Sequence, residues 1–227
     1  MNALDSRFLR LGDCYARKFG KPGSVRYALT AAAGHCMPAG DGAYTITVGP
    51  SPSKKETNRQ HNVLVREKNS MLVAEPPSLQ IDAGDMILWH TPDGAAHGFA
   101  VVGEGDAGNF NSGALTNESV YTHAFGLPGL YEWVDAHGGK VRGQIRVKTV
   151  EAKERNDCKK WLDALGKGAL ITINGQKAEP KQVEILAGQT VFWAVQKASG
   201  ISITDAKLLL HRSSGKTETP AKKGKRR

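Results

Sequence analysis

Short runs of apolar residues, many alternating with polar ones, recur along most of this chain. Those bounded by glycine, proline or aspartate include AYTITV at 43–48, SLQIDAGDMILWH at 78–90, HGFAVVG at 97–103, GLYEWVDA at 129–136, RGQIRVKTV at 142–150 and KQVEILAGQTVFWAV at 181–195. Alternation with a period of two is typical of strands that bury one face, and Gly and Pro mark the turns between them. Many short strands of this kind predict an all-β fold built as a sandwich.

One segment has a different pattern. Residues 150–167 are charged and rich in helix-forming residues, and they place Trp161, Leu162 and Leu165 on one helical face. We therefore expect a short helical connector here. The polar stretch at 49–60, GPSPSKKETNRQ, contains prolines and charges and predicts a linker.

The chain also matches itself at two nearly equal offsets. Residues 5–27 align with 111–133 at an offset of 106, and residues 74–89 align with 178–193 at an offset of 104. Self-similarity of this kind indicates duplicated structural units. The aligned identities include Tyr15 with Tyr121, Trp89 with Trp193, and Pro22 and Gly23 with Pro128 and Gly129.

The two alignments cover different halves of one unit, and this predicts how the chain is divided. We expect 61–149 to be one complete unit. Residues 1–50 plus 168–211 are then expected to close into a second, circularly permuted unit, with its second half preceding its first half. The alternative is that these two halves complement a neighbouring chain, which would build a dimer or filament by swapping.

The composition fits a globular protein with a charged end. The chain has 227 residues, of which 40% are hydrophobic, and its net charge is +9. Residues 212–227 carry +6 of that charge and are expected to form a disordered basic tail. Such a tail can bind nucleic acid or an anionic surface, or it can simply keep the protein in solution. The candidate contact residues are Lys222, Lys223, Lys225, Arg226 and Arg227.

The sequence lacks the motifs that mark common catalytic sites, and we expect a non-enzymatic protein. It contains no Gly-rich phosphate loop, nucleophile elbow, Cys-x-x-Cys pair or His-Glu-x-x-His motif. Its three cysteines, Cys14, Cys36 and Cys158, show no pairing pattern and are expected to be ordinary buried thiols. As written, the chain shows no secretory signal and no apolar run that would span a bilayer, so a cytoplasmic location is expected.

Three segments resemble the cupredoxin, or blue-copper, family. IDAGDMILWHTPDGAAH at 81–97 is similar to the strand that leads to the family's first ligand histidine. FNSGALTNESVYTHAFGLPGLYEW at 110–133 is similar to the strands before the ligand loop, and HGGKVRGQIRV at 137–147 is similar to that loop and the closing strand. Their order and spacing carry the resemblance, which implies a Greek-key β-sandwich for each of the two units.

The resemblance also implies where a metal ion would bind. His97 fits the first ligand histidine, His137 fits the loop histidine, and Asp135 or Val134 stands where the family has its copper-ligand cysteine. A blue-copper site needs that thiolate, so such a site is not expected. His97, His137 and Asp135 are still a candidate set for one copper or zinc ion. The alternative is a site that has lost its metal altogether.

Three functional hypotheses follow. The first is a cupredoxin-like binding or structural module without cofactor, acting as an accessory subunit of a larger assembly through a protein partner or self-association. The second is a non-blue metal-binding or redox protein that uses His97 and His137. The third is a nucleic-acid-associated protein that binds through its basic tail. We favour the first.

Overall fold

The computed structural model describes residues 4–31, 44–52, 58–93, 98–149 and 155–213. It confirms the predicted all-β sandwich fold. Over the described residues, helix is confined to α1 (Arg155–Leu165) and α2 (Ala206–Ser213). No helix in this part of the chain is long and apolar enough to cross a membrane.

Strands follow one another closely in both halves of the chain. Those of the first half are β1 Asp13–Lys18, β2 Gly23–Thr30, β3 Tyr44–Gly49, β4 Gln60–Lys68, β5 Met71–Glu75, β6 Ser78–Asp82, β7 Met86–His90, β8 Ala100–Gly105 and β9 Phe110–Asn111. Those of the second half are β10 Leu115–Thr116, β11 Ser119–Ala124, β12 Gly129–Asp135, β13 Arg142–Lys148, β14 Ala169–Asn174, β15 Lys177–Glu179, β16 Gln182–Leu186, β17 Thr190–Lys197, β18 Ser199–Ile201 and β19 Ile203–Asp205.

The first half folds into a sandwich of two sheet layers, here called the first sandwich. Strands β5, β4, β7 and β1 are successive neighbours in one layer, and β6, β3, β2, β8 and β9 form the other. Trp89 on β7 stacks on Tyr15 of β1 at 5.5 Å between ring centroids. It also meets the ring of Tyr27 on β2 edge-on at 5.6 Å, so aromatic side chains fill the space between the layers.

The second half repeats this arrangement and is here called the second sandwich. Strands β15, β14, β17 and β11 form one layer, and β16, β13, β12 and β19 form the other. Trp193 on β17 stacks on Tyr121 of β11 at 5.4 Å and meets Trp133 of β12 edge-on at 5.9 Å. All three side chains are fully buried.

One eight-stranded sheet joins the two sandwiches. Its order is β15-β14-β17-β11-β1-β7-β4-β5, and β1 and β11 pair antiparallel at the centre. In that pair Tyr15 lies opposite Tyr121. The two residues that align at an offset of 106 in the sequence are therefore direct neighbours at the junction of the two sandwiches.

The strand pairs differ from the grouping predicted from the sequence. Residues 61–149 do not close into one unit. Their strand β6 pairs in parallel with β3, which precedes residue 61, and their strand β13 pairs in parallel with β16, which follows residue 149. The strands of 1–50 thus belong with those of 60–111, and the strands at 115–148 belong with those at 169–205. The two alignments identified which segments correspond but not which ones are hydrogen-bonded. Two sandwiches in simple succession satisfy the same offsets without intrachain permutation.

The predicted helical connector is present as α1, but it connects strands of the same sandwich. It lies between β13 and β14, and Trp161 Nε1 donates a hydrogen bond to the Ala187 carbonyl at 3.0 Å. Leu165 packs beside Gly188, while Leu162 is 60% exposed. The packed face of α1 is therefore narrower than the pattern of apolar residues predicted.

Candidate functional site

The loop that contains two of the three predicted metal ligands connects β12 to β13. Asp135, the last residue of β12, donates its backbone N–H to the Val141 carbonyl at 3.0 Å. Gly138 donates its N–H to the Asp135 carbonyl at 3.1 Å and has a φ of +81°, which favours glycine. These bonds hold Asp135 and His137 in one tight turn.

The Asp135 carboxylate organises this turn. Its side chain is almost fully buried, at 6% exposure, and Oδ1 accepts hydrogen bonds from the N–H groups of His137 at 3.2 Å and Ser202 at 3.1 Å. Its Oδ2 lies against Gly139, where a Cβ would collide with it. A buried carboxylate needs such donors to offset its lost hydration. In this structure Asp135 therefore ties the loop to the segment between β18 and β19.

The His137 ring is also tied to Ser202. Its Nε2 lies 2.8 Å from the Ser202 Oγ, and the same hydroxyl donates to the Gly113 carbonyl. A hydroxyl has a single proton, which here goes to a carbonyl that can only accept, so His137 Nε2 must be the donor in its own contact. This tautomer leaves Nδ1 as the ring nitrogen with a lone pair.

The complete metal set is not described by the structure. His97 lies outside the described residues, so its distance from Asp135 and His137 stays unmeasured. Within the described ranges, no three His, Cys, Asp or Glu side chains are grouped so that they could hold a metal ion. A metal site at His97, His137 and Asp135 thus stays a prediction. The basic tail residues 222–227 also lie outside the described part of the chain.

Comparison with protein-family models, with curated proteins and with solved structures finds no match to this chain.

A buried polar network at the junction of the two sandwiches was not foreseen from the sequence. Asp13 is 1% exposed, and its Oδ1 accepts a hydrogen bond from the Tyr121 hydroxyl at 2.9 Å and lies 2.6 Å from His123 Nδ1. Its Oδ2 accepts from the Arg10 N–H at 2.9 Å. Asp13 and His123 are 110 residues apart, so no local motif could have linked them. The network holds β1 and β11 together from within the core.

The opposite side of the same sheet presents apolar side chains, and we call it the outer face. Successive residues of a strand point to opposite sides, so the neighbours of the buried Tyr15, Trp89, Tyr121 and Trp193 point outward. One row runs in register through Ala194, Val120, Ala16 and Leu88. The next row runs through Leu170, Phe192, Thr122, Cys14, His90 and Leu64.

Exposure along these rows is uneven. Ala16 is only 2% exposed because its short side chain lies between the larger Leu88 and Val120, which are half-buried. Toward the edge of the second sandwich, Phe192 is 37% exposed and Leu170 is 57% exposed. The outer face is thus an apolar surface that crosses from one sandwich to the other. It was missed from the sequence because its rows combine residues from strands far apart in the chain.

Proposed function

We propose that this protein is a non-enzymatic, cupredoxin-like binding or structural module that acts as an accessory subunit of a larger assembly. The outer face of the eight-stranded sheet is the observation that supports this proposal. Antiparallel sheets that face water on one side usually carry polar residues there. Here the four central positions of one row are alanine, valine and leucine, and polar residues stand only at its ends, Thr172 and Asn62. Contiguous apolar surface of this kind is typical of a protein-binding face.

The partner that best suits this face is a second copy of the chain. The face carries apolar side chains on both sides of the β1–β11 pair, with Val120 and Ala194 on one side and Ala16 and Leu88 on the other. A two-fold dimer buries the same patch of both subunits, so a patch that is largely apolar on both sandwiches can pack on itself. Two sheets packed face to face would extend the sandwich architecture by one more layer.

The resemblance to cupredoxins supports this proposal in a limited way. It suggests a fold whose original copper chemistry requires a thiolate, and Asp135 or Val134 stands in that position. A fold can persist after its first site has changed, and function then resides on other surfaces. The hypotheses of a non-blue metal site and of nucleic-acid binding through the tail stay predictions, because His97 and residues 222–227 lie outside the described residues.

Sedimentation velocity of the full chain at several concentrations tests the proposal. We expect the wild type to form a dimer or larger assembly, and Leu88→Glu and Val120→Glu to sediment as monomers because a charge would be buried in the interface. Leu130→Glu is the matched control, since Leu130 is 46% exposed and lies on β12, outside the eight-stranded sheet. Circular dichroism checks that all variants keep their strand content.

Two results would argue against self-association through this face. One is a wild type that stays monomeric over the whole concentration range. The other is a loss of assembly in Leu130→Glu that matches the loss in Leu88→Glu. Either result would remove the support that the outer face gives to the proposal.

A further inference from the structure

A basic cleft opens in the second sandwich, away from the outer face. Its volume is about 710 Å³, and it lies between the β12–β13 hairpin and the segments on either side of β15. Its lining includes four cationic residues, Lys140, Arg142, Lys177 and Lys181. The carboxylate of Glu132 is its acidic group among the described residues, and that group accepts a hydrogen bond from Gln144 Nε2 at 3.3 Å.

Gly143 lines the cleft at a position where the first sandwich carries an aromatic side chain. In the first sandwich β3 pairs with β6 as β13 pairs with β16 in the second, and this register places Tyr44 at the position of Gly143. Tyr44 packs on Tyr27 at 5.2 Å and directs its hydroxyl to the Leu72 carbonyl at 3.4 Å. At this position the first sandwich therefore packs an aromatic ring, whereas the second has no side chain.

The atoms around Gly143 leave no room for a side chain there. A Cβ on Gly143 would lie 2.5 Å from the Lys181 carbonyl oxygen and 2.8 Å from Trp133 Nε1. Any larger residue would therefore push into the backbone and into a fully buried indole ring. Trp133 also lines the cleft, and its Nε1–H has no hydrogen-bond acceptor among the described residues. The Nε1–H groups of Trp89 and Trp193 are buried without an acceptor in the same way, so this feature is common to these three tryptophans.

The positive charge is specific to this sandwich. At the offset of 104, Lys177 corresponds to Val73 and Lys181 corresponds to Pro77, so the equivalent positions of the first sandwich are uncharged. None of the four cations of the cleft forms an ion pair with another described residue. Clefts lined by charges of one sign concentrate ligands of the opposite sign.

We propose that this cleft binds an oxyanion ligand that carries phosphate or sulfate groups. Arg142 presents a planar set of donors that matches two oxygens of such a group, and the three lysines add point charges around it. The side-chain amides of Gln144, Gln176 and Gln182 supply neutral donors along the same lining. This inference goes beyond the proposed role of the outer face and does not depend on it.

Isothermal titration calorimetry of the full chain with inorganic pyrophosphate, at about 0.15 M salt, tests the proposal. We expect one equivalent to bind, and the double variant Lys177→Ala/Lys181→Ala to bind about tenfold or more weakly because it loses two charge-assisted contacts. The matched control is Lys159→Ala/Lys160→Ala, which removes the same charge from the exposed surface of α1. All four lysines are exposed, so neither variant should alter the fold.

The outcomes separate binding in the cleft from general attraction to a basic protein. No binding to the wild type, an equal loss in both double variants, or undiminished binding to Lys177→Ala/Lys181→Ala would overturn the proposal. A second titration with inorganic sulfate distinguishes the two ligand sources. Much tighter binding of pyrophosphate than of sulfate would assign phosphorylated ligands to the cleft, and the reverse order would assign sulfated ones.

Discussion

Tyr15 and Tyr121 lie directly opposite each other in the β1–β11 pair, and they are also the residues that align at an offset of 106. Each hydroxyl reaches across to the other strand. Tyr121 donates to Asp13 at 2.9 Å, and the Tyr15 hydroxyl lies 3.3 Å from the Ser119 Oγ. Asp13 and Ser119 each precede the tyrosine of their own strand by two residues. The two sandwiches therefore meet through a nearly symmetric exchange of hydrogen bonds.

The two hydrogen bonds differ in one respect, because Tyr121 contacts a carboxylate and Tyr15 contacts a hydroxyl. This difference gives a first prediction. Tyr121→Phe removes a donor from the buried Asp13 carboxylate and should lower the free energy of unfolding by about 1–3 kcal/mol. Tyr15→Phe removes a longer contact between two neutral hydroxyls and should cost only about 0.5–1.5 kcal/mol. Urea unfolding of the two variants measures both values. An equal or larger cost for Tyr15→Phe would show that Asp13 does not depend on the Tyr121 hydroxyl.

The same tyrosines predict a loss of stability at alkaline pH. Burial raises the pKa of Tyr15 to about 12, and burial together with the nearby Asp13 raises the pKa of Tyr121 well above its usual value. Above a pH of about 10 the unfolded chain loses these protons while the folded chain keeps them. The free energy of unfolding should then fall by about 1.4 kcal/mol per pH unit for each tyrosine.

Urea unfolding between pH 9 and about 11.5 measures this slope for wild type and Tyr15→Phe. The variant lacks one of the two phenols, so its free energy of unfolding should fall with pH by about 1.4 kcal/mol per pH unit less than that of the wild type. Lysines titrate in the same range but are common to both proteins. Identical slopes would mean that the Tyr15 hydroxyl ionises as readily in the folded state as in the unfolded one.

A glycine at the end of β8 predicts a large steric effect. Gly105 pairs with Val25, and a Cβ on Gly105 would lie 2.7 Å from the Val25 Cα and collide with the Ser24 carbonyl oxygen. Gly105→Ala should therefore destabilise the protein by about 1–3 kcal/mol. Gly126→Ala is the control, because nothing lies within 4 Å of its would-be Cβ.

Thermal unfolding compares the two alanine variants. Each kcal/mol should lower the Tm by about 2–4 °C for a protein of this size, while the control should stay within about 0.5 kcal/mol of the wild type. A Tm for Gly105→Ala close to that of Gly126→Ala would contradict the tight approach of β2 and β8.

The β12–β13 loop predicts weak metal binding. Asp135 Oδ1 already accepts two backbone N–H groups, and His137 Nε2 is used by Ser202. A metal ion would have to compete with these bonds for the carboxylate, so titration with Cu(II) or Zn(II) should show no tight one-to-one complex. One tightly bound equivalent that is lost in a His97→Ala/His137→Ala variant would instead establish those histidines as a metal site.

The fold class could be predicted from sequence because alternating residues determine which face of a strand is buried. The partner of a strand could not, and β13 shows why. Ser78–Asp82 and Gln182–Leu186 align with each other and present the same kind of apolar face, so either one suits the edge of β13. Only the three-dimensional structure distinguishes β6 from β16 as the neighbour.

The outer face, the basic cleft and the Asp13 network also depend on which strands pair, so the sequence alone could not predict them. Asp13 meets His123, and the Gly143 backbone lies against the Lys181 carbonyl, only because particular strands pair in a particular register. His137 and Asp135 were recognisable from sequence because they lie in one short loop. Ser202, which holds both of them, is more than 60 residues away and carries no motif.

The pairing of β1 with β11 within one chain unites the two sandwiches, and a single cross-link tests this pairing. Cys14 lies opposite Thr122, both on the outer face, and paired residues of antiparallel strands are about 4.5–5.5 Å apart at Cα. A disulfide spans about 4.4–6.8 Å, so Thr122→Cys should permit one with Cys14. Burial raises the pKa of Cys14, so oxidation is carried out at mildly alkaline pH.

The measurement is non-reducing electrophoresis with peptide mass spectrometry of Thr122→Cys after oxidation, in a background in which Cys36 and Cys158 are replaced by serine. We expect an intrachain disulfide in Thr122→Cys and none in the control Val120→Cys, whose diagonal separation from Cys14 is roughly 7–8 Å. Absence of the intrachain disulfide in Thr122→Cys, or its equal formation in Val120→Cys, would contradict the single-chain sheet that unites the two sandwiches.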